Sequence, residues 1–148
     1  LMIAISASCN QGQDDLVIVD TAVEFSIKDG NGHDLLNPQN PGSFMEDEIK
    51  IFYLMNGQLT EVNEGHLDHP RGFFILQHDN EFRIRIFPNI ESGEQTPLTY
   101  IQWNSTEADA LKLSIDRSGG STRCNKVWLN DNLIWEGFET ERFFEIVK

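Results

Sequence analysis

The chain has 148 residues and carries a net charge of −13, from 24 acidic residues against 11 lysines and arginines. A field of that sign repels nucleic-acid phosphates and argues against a nucleic-acid partner. Hydrophobic residues make up 39% of the chain and aromatic residues 10%, which is enough apolar material for one packed domain and too much for a disordered chain.

The first elements are an address rather than a fold. LMIAISA (residues 1–7) resembles the end of the apolar region of a secretory signal, and Ala7-Ser8-Cys9 resembles a bacterial lipobox. Ser6 stands where a lipobox usually carries an aliphatic residue. The expectation is that residues 1–8 end a signal peptide, that Cys9 is the lipidation site, that residues 9–15 form a polar tether, and that residues 16–148 form a single β domain. Two acyl chains on one cysteine anchor stably where one would not, because each buried methylene contributes ~0.8 kcal/mol. Asp14 and Asp15 follow closely, and such an acidic run resembles a display signal of Bacteroidetes-type bacteria. These features place the chain in the cell envelope as an outer-membrane lipoprotein exposed at the surface. The alternatives are a buried first strand over residues 1–8 and a cleaved signal without lipid.

Beyond the tether the dominant period is two, the mark of half-buried strands. VEFSI (23–27) puts Val23, Phe25 and Ile27 on one face. EIKIFYLM (48–55) sets Ile49, Ile51, Tyr53 and Met55 against Lys50, Phe52 and Leu54. Asn56-Gly57 then signals a hairpin into QLTEV (58–62). FFILQ and EFRIRIF flank Asp79-Asn80 as a second hairpin, with Phe82, Ile84 and Ile86 inward and Arg83 and Arg85 outward. PLTYIQW (97–103) and ALKLSID (110–116) follow. CNKVWL and LIWEGF surround Asn130-Asp131-Asn132 as a third hairpin, and RFFEIVK is a further strand. About nine or ten short strands without a helical stretch predict an all-β antiparallel sandwich, with an immunoglobulin-like arrangement first and a partly open barrel as the alternative.

The candidate chemistry is sparse. GHLDHPRG (65–72) crowds His66, Asp68 and His69, the weak candidates for a metal site, with His78 further on. Asp29, Asn31 and Asp34 resemble part of a calcium loop, but His33 stands where an oxygen ligand is needed, so a β-turn is expected. Cys124 beside Arg123 reads as a structural thiol. No metal, cofactor or catalytic residue is expected. Trp128 and Trp135 sit on the two arms of the third hairpin and are the candidate ligand-binding residues, because an exposed indole makes a stacking platform.

FSIKDGNGHDLLNP (25–38), YLMNGQLTEV (53–62) and the ending VWLNDNLIWE…RFFEIVK resemble a group of small lipoproteins of unassigned function from gut Bacteroidetes. The resemblance implies a secreted β domain and transfers no functional residue. The resulting expectation is a non-catalytic envelope lipoprotein whose domain binds a glycan or a protein partner. A small hydrolase using loop carboxylates or the GHLDH cluster, and a structural subunit of a surface assembly, are the alternatives.

Overall fold

The computed structural model describes residues 17–137 and 140–148. Cys9 and the expected signal segment and tether lie outside the described residues. The alternating stretches form strands β1 (Val19–Asp20), β2 (Val23–Lys28), β3 (Lys50–Met55), β4 (Gln58–Glu61), β5 (Phe73–His78), β6 (Glu81–Ile86), β7 (Leu98–Gln102), β8 (Ala108–Asp116), β9 (Thr122–Leu129), β10 (Asn132–Glu136) and β11 (Phe143–Val147). All three tight turns use residues held at positive φ: Asn56-Gly57 at 52° and 78°, Asp79 at 54°, and Asn130-Asp131 at 48° and 68°. Asn, Asp and Gly tolerate that region, and such turns match the twist of the strands they join. The Asn130-Asp131 turn is two residues long, since Asn132 already begins β10.

Two separate sheets result, as in a sandwich and not a closed barrel. The smaller runs β11-β2-β6-β5, and the larger runs β4-β3-β7-β8-β9, with β1 and β10 sharing the far edge of β9. The inward faces of both sheets meet in one core: Phe25, Ile27, Ile84 and Ile86 from the smaller sheet, and Ile51, Ile101, Leu111, Leu113 and Val127 from the larger. Strands β2 to β8 follow immunoglobulin order, the second, sixth and fifth on one sheet and the fourth, third, seventh and eighth on the other. Two pairings depart from the antiparallel expectation. β11 runs parallel to β2, and β1 runs parallel to β9. The reason is connectivity. β11 reaches β2 from the far end of the chain, with no hairpin to impose opposite directions, and β1 is one short crossing away from the strand it feeds.

Two polar residues tie the sandwich together. Asn89 is fully buried, and its side-chain amide donates to the Leu54 and Leu98 carbonyls at 3.0 and 3.3 Å, clamping β3 to β7. Asp109 accepts from Trp103 Nε1, Asn130 Nδ2 and Lys148 Nζ, each at 2.7 Å. Lys148 follows β11 on the smaller sheet while Asp109 lies on β8 of the larger, so this ion pair links the two layers.

Candidate functional site

The larger sheet has an unusual outer face. Inward positions on its strands are fixed by buried Ile51, Ile101, Leu111, Leu113 and Val127, so their neighbours point outward. The register then lines up side chains across strands. Leu59 stands opposite Leu54, Lys112 opposite Leu98 and Trp128, and Trp128 opposite Leu133. Leu54 and Leu98 are neighbours through the Asn89 clamp. A single row therefore crosses six strands: Leu59, Leu54, Leu98, Lys112, Trp128, Leu133. The adjoining row is Glu61, Phe52, Tyr100, Ala110. Eight of these ten positions are apolar or aromatic on a face turned away from the core. Leu59 is 50% exposed and Leu133 48%, while Trp128 is half-buried beneath the Lys112 ammonium, 4.8 Å from its ring.

Of the two candidate tryptophans, Trp128 lies on this face and Trp135 does not. Trp135 is buried, its Nε1 donates to Thr140 Oγ1 at 3.0 Å, and the Arg142 guanidinium lies 5.2 Å from its ring. The cause is a bulge between Leu133 and Trp135 in the β9–β10 pairing. The extra residue flips the strand's phase, so Leu133 faces outward and Trp135 inward.

The GHLDH residues do not converge. His66 is exposed, with Glu64 at 3.9 Å, and Asp68 is exposed. The His69 ring instead stacks at 4.3 Å on Phe74 and 5.6 Å from Phe87. Among the described residues, no group of three His, Cys, Asp or Glu side chains is placed to hold a metal ion. His69 and Asp68 line a pocket of about 220 Å³ with Tyr53, Val62, Phe87, Glu64 and Glu91. Burial, with the charges of Glu91 and Glu64, raises the Tyr53 hydroxyl above its ordinary value, and that hydroxyl donates to the Phe87 carbonyl at 2.6 Å. The Asp29 loop is a turn: its carboxylate accepts from the backbone of Asn31 and His33 and pairs with the His33 ring at 2.9 Å. Asp34 is likewise spent, on the amides of Leu36 and Phe82. The Cys124 thiol is fully buried and pushed up to about 11 by that burial, against the opposing charge of Arg142. Its sequence neighbour Arg123 does not activate it.

The outer face of the smaller sheet is a lattice of matched charges. A groove of about 440 Å³ there contains Arg83, Arg85 and Arg142 with Asp20, Glu24 and Glu141. Arg85 is paired with Glu24, Arg142 with Asp20, and Arg83 with Glu81 at 2.9 Å. The Arg83 guanidinium also lies 3.6 Å from the Phe143 ring. These cations are already neutralised, whereas among the described residues no element covers the apolar outer face of the larger sheet.

Comparisons with protein-family models, with curated proteins and with solved structures find no match. Among the described residues no helix is long and apolar enough to cross a membrane.

Proposed function

We propose that the chain is a non-catalytic cell-envelope lipoprotein, anchored to the outer membrane by lipid on Cys9, whose sandwich binds a glycan or protein partner. The outward row through Trp128 carries the binding part of this reading. Burying apolar surface is worth about 25 cal/mol per Å², so an uncovered apolar band on a sheet face is a standing source of affinity. The absence of catalysis is supported by how the chemistry-bearing groups are used. Asp109, Asp29 and Asp34 serve as hydrogen-bond acceptors within the fold, and Cys124 is held protonated in the core. The anchor rests on the lipobox-like residues around Cys9.

Two measurements test the two halves. Labelled palmitate should enter the wild-type chain in a lipoprotein-processing host and not the Cys9→Ala chain; a labelled Cys9→Ala chain overturns the anchor. A glycan array and a binding screen should yield ligands whose affinity falls at least tenfold in Trp128→Ala, with native circular dichroism retained. Ligands indifferent to Trp128→Ala would remove the face as the site.

A further inference from the structure

Resting on the binding reading above, we infer that the outer face of the larger sheet docks a different protein, one that presents an apolar surface bordered by carboxylates.

The side chains on the face argue for protein over sugar. Sugar rings stack on flat aromatic faces and need polar neighbours to hold their hydroxyls. Here four of the six residues in the longer row are leucines, Leu59, Leu54, Leu98 and Leu133. Branched aliphatic groups interdigitate with other side chains and offer no plane to a pyranose.

The charges specify the partner's border. Lys50 flanks the apolar band on one side, opposite Gln102, and Lys126 flanks it on the other, opposite Ser114 and Glu136. Lys112 stands within it. Three lysines against Glu61 and Glu136 make this face net +1 on a chain of −13. At 0.15 M salt the Debye length is about 8 Å, so a docked partner feels these lysines more than the distant carboxylates. The same pattern disfavours a second copy, since a two-fold pairing lays this face on itself and brings lysines together.

The size fits a transient interface. Each position on a sheet face occupies roughly 33 Å², from a strand spacing of about 4.8 Å and about 6.8 Å between alternate residues. The ten positions of the band then cover about 330 Å², and the flanking Lys50, Gln102, Ala108, Ser114, Lys126 and Glu136 bring the total to about 530 Å² at that same spacing. That is below the roughly 800 Å² per partner of a standard stable interface.

The probes are two labelled amphipathic helical peptides with identical Leu/Phe faces, one with glutamates and one with lysines on the polar face. Fluorescence anisotropy at 0.15 M salt should show the glutamate peptide binding at least tenfold more tightly than the lysine peptide. Trp128→Ala should abolish both. The double change Lys112→Glu, Lys126→Glu lies on the surface and should reverse the preference while leaving the melting temperature unchanged. Equal binding of the two peptides, or a preference that survives the charge reversal, overturns the inference. Sedimentation should show a monomer; a dimer dissolved by Trp128→Ala assigns the face to a second copy and also overturns it. A Trp128-dependent glycan without glutamate-peptide binding ends this inference but leaves the binding module standing. If no glycan, peptide or protein binds through Trp128, both fall.

Discussion

Removing the Asp109 carboxylate should loosen the sandwich at the point where its layers are joined. The group is 8% exposed and accepts three hydrogen bonds at 2.7 Å, from Trp103, Asn130 and Lys148. In Asp109→Ala the fully buried Trp103 loses its acceptor and the Lys148 ammonium, 17% exposed, loses its nearest counter-charge. Breaking a buried pair costs about 3–5 kcal/mol. Lys148 keeps some access to water and has Glu107 at 3.9 Å, so about 2–3 kcal/mol is expected after that discount. At roughly 2–4 °C per kcal/mol for a chain of this size, the melting temperature should fall by about 4–12 °C. The pH dependence has a definite sign. Burial alone would raise Asp109, but the hydrogen bonds from Lys148, Asn130 and Trp103 outweigh it and hold the carboxyl below its ordinary 3.8. The unfolded chain therefore takes up this proton at higher pH than the folded one. The contribution is complete above the ordinary carboxylate range and is lost as pH falls through the lower folded value. Urea unfolding followed by far-UV circular dichroism should show the full gap between wild type and Asp109→Ala at pH 7 and a narrowing one below about pH 4. A variant within ~0.5 kcal/mol of wild type at pH 7 would refute the idea that this carboxylate closes the layers, because that is the range of an ordinary surface substitution.

Three further outcomes are expected. In a Cys9→Ala chain, where Cys124 is the sole thiol, an aromatic disulfide reagent at pH 8 should react only after denaturant is added, since the thiol is buried and raised to about 11; rapid labelling of the native chain would contradict the burial. Tyr53→Phe deletes the 2.6 Å bond to the Phe87 carbonyl and should cost about 1 kcal/mol in urea unfolding, with the far-UV spectrum unchanged. Gly72→Ala places a Cβ 3.1 Å from Val62 Cγ1 at a φ of +78° and should destabilise by about 1–2 kcal/mol, measured by the same unfolding curves.

Period-two alternation made most of this fold legible, because a strand with one face in the core writes its own pattern. Val23, Phe25 and Ile27, or Leu111, Leu113 and Ile115, are buried as their spacing requires. Turn chemistry placed the hairpins at Asn56-Gly57, Asp79-Asn80 and Asn130-Asp131-Asn132, and positive φ is found there at Asn56, Gly57, Asp79, Asn130 and Asp131, with Asn132 already in β10. The parallel pairings were not legible, since direction between distant strands is set by tertiary packing and leaves no local trace. β1 leaves no signal for a different reason: two exposed residues, Val19 and Asp20, are too few to show alternation. Trp135 and Leu133 have the spacing of one face, and only the bulge between them sends one in and the other out. The apolar outer face of the larger sheet did leave a signal. In EIKIFYLM the second phase of the alternation holds Phe52 and Leu54 as well as Lys50, and a strand apolar in both phases covers something on each side.

The parallel marriage of β11 to β2 joins Phe143 to Glu24, partners 119 positions apart. Loop-closure entropy makes such a contact slow to form, and no partially emerged chain can form it at all. The smaller sheet thus stays one strand short until residues 143–147 have cleared the ribosome. Until then the edge of β2 that β11 will cover stands with its backbone groups unpaired, open to any other extended segment.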